Sequence, residues 1–327
     1  MDVISRRGLI SGLGGLVAAS SLPAATVAAK DGQAVPGELF PKRGDWERLS
    51  ISYAYVKAGA TKPFSVLHIT DTHLTAAYPD EDEKRQELKR VRSATFGGHQ
   101  EEALRDSLSW AAKNVDWVLH TGDLIDWQSR ANLDLVRKHY GPNVTGSLGN
   151  HEFSPAMWLS EPKESRTEAF KDPSRARLQA AYPFDISLSS QIVNGVNFVT
   201  LDDVYGTVTA EQVARFAAEV KKGLPIVLCM HVPFHTPNTW RFTARYWSHR
   251  NLKVTTDAVP EPTGDYKAQL EDKVTREFIA YLKTEPLLKA ILSGHEHIDI
   301  EDRFSPTAMQ YVTGGNFMFH GREVIFG

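Results

Sequence analysis

Five short clusters of carboxylate, imidazole and amide side chains recur along the chain, each preceded by an apolar run of strand length. They are Asp71-Thr72-His73, Gly122-Asp123-Leu124-Ile125-Asp126, Gly149-Asn150-His151-Glu152, His231 after Ile226-Val227-Leu228-Cys229-Met230, and Gly294-His295-Glu296-His297. In Asp-x-His and His-x-His a strand-to-loop bend is able to turn both outer side chains toward one ion. Carboxylates mixed with imidazoles suit borderline divalent or trivalent metals such as manganese, iron and zinc. One carboxylate is able to bridge two cations and reduce their repulsion, and a metal pair so held clamps phosphate oxygens and supplies a nucleophile. Glycines before Asp123, Asn150 and His295 allow tight turns and close backbone approach. Each cluster alone is weak, and a lone His231 would read as a core histidine. Their order, each at a strand end, carries the signal.

Such clusters need elements that deliver them to one edge. Phe64-Ser65-Val66-Leu67-His68-Ile69 reads as a buried strand, and Leu104, Leu108, Ala111 and Val115 mark a helix over 100–114. Trp117-Val118-Leu119 and Val144-Thr145-Gly146-Ser147-Leu148 follow as strands. Thr209-Ala210-Glu211-Gln212 has the form of a capping box, with Val213, Phe216, Ala217 and Val220 on one face of the helix that follows. Ile226–Met230 is the next strand, and a helix over 265–282 leads to Ala290-Ile291-Leu292. Alternating strands and helices predict an α/β layered fold in one domain. In such sheets ligands gather at the carboxyl ends of strands.

Composition narrows the function. Hydrophobic residues are 42% and charged residues 24% of the 327, near a globular average. The net charge of −3 provides no basic field for nucleic acid or an anionic membrane, so no nucleic-acid-binding module is expected. A single cysteine, Cys229, excludes an internal disulfide, a zinc ribbon and an iron–sulfur cluster, and inside a strand it reads as a small hydrophobe.

The amino terminus reads as an address. Arg6-Arg7 precedes a weakly apolar, glycine-containing stretch that runs to Ala29, resembling a twin-arginine export signal cleaved before Lys30. Its glycines, serines and Pro23 make a poor membrane helix, so no stable anchor is expected. The expected division is a signal over 1–29, a lead-in over 30–62 and a catalytic domain over 63–327. Engagement with the twin-arginine export machinery and a periplasmic or extracellular location follow from it.

The ordered clusters closely resemble the calcineurin-like metallophosphoesterase family, over Val66 to His297 and with no motif missing. The resemblance implies a four-layer α/β/β/α sandwich of two mixed β-sheets flanked by helices. It implies that Asp71, His73, Asp123 and His297 hold one metal, and that Asp123, Asn150, His231 and His295 hold a second. His151 would protonate the leaving group, Asp126 would orient His151, and a metal-bridging hydroxide would attack phosphorus. The purple acid phosphatase subtype is set aside, because it carries a tyrosine ligand where this chain has Asp126 and lacks the histidine at His73. The expected cofactors are two divalent or trivalent ions, and the expected partner is a small phosphate ester, mono or di. Competing readings are a specific phosphodiesterase for nucleotides or lipid head groups, and a metal-binding or receptor protein without turnover.

Other residues read more plainly. His68 and His120 sit within strands and suit supporting roles, Glu152 suits a structural one, and His99, His139 and His320 default to the surface. His235, four residues after His231, is a candidate substrate contact. The charged stretch 79–92 reads as a solvated helix laced with ion pairs. The stretch 233–262, with Trp240, Arg241, Arg245, Tyr246, Trp247, His249 and Arg250, reads as a long loop, either a substrate-facing lid or plain surface.

Overall fold

The computed structural model describes residues 48–141, 144–154, 167–251 and 261–327. The export-signal reading of residues 1–29 lies outside them. Two mixed sheets form the centre. The first contains β1 (Ser50–Val56), β2 (Phe64–Ile69), β3 (Trp117–Thr121), β4 (Val144–Ser147) and β11 (His320–Phe326), in the order β1-β11-β2-β3-β4. The second contains β5 (Leu188–Val193), β6 (Val196–Leu201), β7 (Ile226–Cys229), β8 (Leu288–Ser293), β9 (Ile300–Arg303) and β10 (Met309–Val312), in the order β5-β6-β7-β8-β10-β9. In each sheet the inner strands β2-β3-β4 and β6-β7-β8-β10 are parallel. Their carboxyl ends therefore point one way.

Period-two alternation within the strands makes the layers. Val66, Trp117, Leu119, Val227, Cys229, Ala290 and Leu292 meet in one core between the sheets. The alternate residues Leu67, Ile69 and Val118 face the helices α2 (Gln100–Asn114), α3 (Arg130–His139) and α4 (Glu168–Ala181), through Leu104, Val136 and Leu178. On the other side Ile226, Leu228 and Ile291 face α5 (Ala210–Val220) and α8 (Lys273–Leu282), through Phe216, Phe278 and Leu282. A strand buried on both faces reads as a continuous apolar run, which is why these strands were plain in the sequence. The result is the expected α/β/β/α sandwich. Each buried Leu, Ile or Phe adds roughly 1.5–3 kcal/mol, so the scaffold is firm before any site chemistry is counted.

Several expectations change. The stretch 30–62, expected as a lead-in, contributes β1, which pairs in parallel with β11 from Ser50↔His320 to Val56↔Phe326. The domain's first strand thus lies ahead of residue 63, its partner almost at the other end of the chain. The helix expected over 265–282 is two, α7 (Gly264–Glu271) and α8. Asp272 ends the first in extended backbone, and its side chain accepts the Thr275 N–H at 2.7 Å to cap the second. The stretch 233–262 is not one loop, because Pro237–Asn251 forms the helix α6. Thr236 starts it, its hydroxyl accepting the Thr239 N–H and meeting Asp302. The charged stretch does form a helix, α1 (Glu83–Thr95). The capping box is present, Thr209 and Gln212 satisfying each other's amides. No helix among the described residues is long and apolar enough to cross a membrane.

Candidate metal centre

The loops that leave the parallel strands are paired with one another before any side chain is considered. Asp71 N–H donates to the Gly122 carbonyl, His73 N–H to Asp123 and Leu74 N–H to Leu124, at 2.8–3.0 Å. Gly294 N–H donates to the His231 carbonyl at 3.0 Å, joining the loops of the second sheet. The turn Asn316–Met318 closes the cluster from behind, its Asn316 N–H on Thr70 and its Phe317 N–H on Asp71.

Backbone conformation marks the same residues. Asp71, His73, Asp123, His295 and His297 all have φ between +52° and +70°. Left-handed backbone costs a residue with a side chain about 1–2 kcal/mol. Five such residues on one edge are strain concentrated at a site. Two glycines admit the close approach this needs: a Cβ on Gly149 would lie 2.1 Å from Asp123 Oδ1, and one on Gly294 2.6 Å from Asp71 Oδ2.

All nine side chains singled out in the sequence converge here. His297 Nε2 is 3.3 Å and His73 Nε2 3.7 Å from Asp71 Oδ1, and the two Nε2 atoms are 3.2 Å apart. Asp123 Oδ2 is ringed by Nε2 of His231 at 3.3 Å, of His151 at 3.7 Å and of His73 at 3.8 Å. Asn150 Oδ1 stands 3.2 Å from His231 Nε2 and 3.1 Å from His295 Nδ1, with those two ring nitrogens 3.2 Å apart. Asp126 lies behind, its Oδ1 2.6 Å from His151 Nδ1 and 3.2 Å from His73 Nδ1.

The hydrogen bonds behind the rings decide which nitrogens face inward with a lone pair. Burial alone would raise the Asp126 carboxyl, but His151, Arg92 and His73 outweigh it and hold it well below the usual carboxylate range. An ionised Asp126 only accepts, so Nδ1 of His151 and of His73 must donate and Nε2 of each faces the cluster. His231 Nδ1 donates to the Thr121 carbonyl at 2.7 Å, leaving its Nε2 inward. His295 reverses the rule, with Nε2 3.1 Å from Asp265 Oδ2 and Nδ1 inward. Ring nitrogens facing each other at 3.2 Å repel if both present lone pairs, and either a shared proton or a metal cation between them relieves it.

The electrostatics agree. Burial works against charge on His73, yet Asp126, Asp71 and Asp123 lift its pKa to about 9. His231 is likewise buried and is raised well above its ordinary value, chiefly by Asp123. Burial favours a protonated Asp71, but His297, His73 and His231 keep it well below its ordinary value. Asp71 Oδ1 is buried without a hydrogen-bond partner. The pocket demands positive charge, and a donor set of carboxylate, imidazole and amide oxygen suits a borderline metal. The ligand atoms of Asp71, His73 and His297 lie within 4.8 Å of one another, as do those of Asp71, Asp123 and His231. The residues fit metal ions.

Three contributors had no sequence signal. Arg92 leaves the solvated face of α1 and grips Asp126 through Nε at 2.6 Å and a second nitrogen at 3.0 Å. Asp203 accepts the N–H groups of His231 and Val232 at 3.0 and 3.2 Å, and burial pushes its carboxyl up to about 7. Asp265, at the start of α7, holds His295. Glu152 is structural as expected, accepting N–H bonds from Gly149, Asp123, Leu124 and Ile125 and the Tyr182 hydroxyl. His68 and His120 are buried and bonded to Thr121, Thr313 and Thr72, and burial holds both near pKa 3. His235 packs against Tyr266 at 5.8 Å and joins none of the ligand groups among the described residues. Arg241 and Arg245 are exposed on α6. The side chains of His249 and Arg250 lie outside the described residues.

A family model of the calcineurin-like phosphoesterases matches residues 64–299. The chain belongs to the calcineurin-like phosphoesterase family. It is therefore a hydrolase of phosphoester bonds that depends on metal. Among solved structures, this phosphoesterase is similar to a dimetal phosphatase from Danio rerio, at 15% identity over 80% of this chain and 91% of that one, TM-score 0.46. A 5'-nucleotidase from Candida albicans is 12% identical over 83% of this chain and 48% of that one, TM-score 0.38. An NAD nucleotidase from Haemophilus influenzae is 14% identical over 79% and 45%, TM-score 0.34. No curated protein matches the chain.

Proposed function

We propose that the phosphoesterase hydrolyses small phosphomonoesters or phosphodiesters with two bound cations, manganese, iron or zinc. Asp71, His73, Asp123 and His297 would hold one, and Asp123, Asn150, His231 and His295 the other. The observation that carries this reading is Asp123 Oδ2, surrounded by three inward-facing imidazole nitrogens. Bound there, the cations would supply Lewis acidity to phosphoryl oxygens and acidify water. The protein's own part is orientation and proton handling. Asp126 fixes the His151 ring through Nδ1, so Nε2 is the atom that carries the proton to the departing oxygen. Arg92 keeps Asp126 in place as a positioning residue. A binding-only protein has no use for a pinned His151. Export to the periplasm or beyond belongs to the same proposal and rests on Arg6-Arg7 and the uncharged stretch behind it.

The test is hydrolysis of p-nitrophenyl phosphate and bis-p-nitrophenyl phosphate by purified protein, before and after chelation. Turnover of at least one ester, lost on chelation and restored by manganese, is expected. Turnover indifferent to chelation, or none on either ester with metal bound, would contradict it.

A supporting carboxylate gives a separate prediction. Asp265→Asn removes the charge behind His295 while keeping its size. Partners behind a ligand histidine are worth about 10–100-fold in metal affinity. Titration with manganese is expected to show one of two sites weakened on that scale, with the other unchanged. Equal affinities in wild type and variant would remove Asp265 from the centre.

A further inference from the structure

The Asp71–His73–His297 side of the centre is walled by aromatic rings. Phe96 stacks on His73 at 4.1 Å with 9° between the planes, and is buried as its backing. Phe317 stands 5.1 Å from His297 and Trp247 5.8 Å from it, both half-buried. Neither Phe317 nor Trp247 belongs to the hydrophobic cores of the sandwich.

Trp247 is also held in place. Its indole Nε1–H donates to Glu296 Oε2 at 2.9 Å. Glu296 lies in sequence between His295 and His297 and is only 4% exposed. A buried carboxylate engaged by an indole, flanked by two inward-facing histidines, fixes the ring's position relative to the centre. Trp247 comes from α6, an element anchored independently by Thr236 and Asn238 on Asp302. A ring that fills no core, tethered to the site loop and bordering His297, has the placement of a substrate contact.

We propose that Trp247 and Phe317 form the subsite for the organic part of the ester, and that it favours a flat aromatic ring carried on the leaving alcohol. Glu296 is the positioning residue, acting through Trp247. This inference rests on the phosphoesterase reading above. Offset or edge contacts to a π-face are tolerant of ring identity, so the subsite selects a class, aryl-bearing esters over short alkyl ones.

The test compares benzyl and ethyl esters, whose alcohols are similar as leaving groups, with the manganese-loaded enzyme. KM and kcat are measured for wild type, Trp247→Ala, Trp247→Phe and Glu296→Gln. Binding of the unhydrolysable benzylphosphonate and ethylphosphonate is measured alongside by calorimetry. The wild type is expected to favour the benzyl member at least about tenfold in KM and in phosphonate affinity. Trp247→Ala is expected to bring that ratio close to unity, and Trp247→Phe to keep part of it. Glu296→Gln, whose amide oxygen still accepts from the indole, is expected to fall between wild type and Trp247→Ala. A wild type without aryl preference would overturn the subsite. So would a Trp247→Ala that loses kcat on both esters with the ratio intact, because the ring would then merely support His297. Absence of turnover on both esters would count against the hydrolytic reading, and the phosphonate ratio would still decide the subsite.

Discussion

Replacing Asp123 by asparagine is expected to strip the protein of metal and lower kcat by about a thousand-fold or more. Asp123 is the carboxylate common to both proposed ligand sets, and its Oδ2 is the atom on which three imidazoles converge. Burial works against its charge, yet His151, His231 and His73 hold its pKa below the ordinary carboxylate value. The asparagine keeps the shape and an oxygen for the His151 N–H, which Asp123 Oδ1 accepts at 2.8 Å. What it removes is the negative charge that would let two cations sit close together. The proposed cations would supply several kcal/mol of transition-state stabilisation, at a factor of ten for about each 1.4 kcal/mol. The check is metal content by mass spectrometry together with kcat. Thermal unfolding adds a control, since metal should raise the midpoint of the wild type far more than that of the variant. A variant that retains two ions and wild-type turnover would refute the shared role.

His151→Gln should behave differently, lowering kcat about 10²–10⁴-fold while leaving the metals bound. The glutamine cannot carry a proton to a departing oxygen, but Asp71, Asp123, Asn150 and the four remaining histidines are untouched. His151 is buried, and burial holds its pKa below the ordinary histidine value. A lowered pKa makes it a readier proton donor once protonated. The deficit should shrink for esters with acidic leaving groups, which depart without a proton. Plotting log kcat against leaving-group pKa reads this directly, with a steeper slope expected in the variant. Parallel lines for the two proteins would mean His151 acts on metal or fold and not on the leaving group.

The chemistry was legible in the sequence because it is local. Asp71 and His73, or His295 and His297, sit two apart on a bend, and strands buried on both faces announce themselves as apolar runs. What the sequence hid is what tertiary contact creates. Arg92 belongs to a helix whose charges otherwise pair in solvent, such as Arg90 with Glu87, and nothing in its spacing distinguishes it. Asp265 reaches His295 from a helix whose start follows Thr263, and Asp203 meets His231 across neighbouring strand ends. β1 alternates Tyr53, Ala54, Tyr55 and Val56, half exposed at the sheet edge, a pattern too weak to read until β11 supplies its partner. α6 begins with Pro237, and its aromatic and basic residues give no clear helical face, so sequence pattern alone reads the segment as a loop.

Two cations are proposed to sit among these nine side chains. Crystals of the manganese-loaded protein, measured at the metal's absorption edge, test it most directly. Two anomalous peaks are expected, one among Asp71, His73 and His297 and one among Asn150, His231 and His295, both against Asp123. Peaks elsewhere, or an empty centre in protein that turns over phosphate esters, would contradict the account.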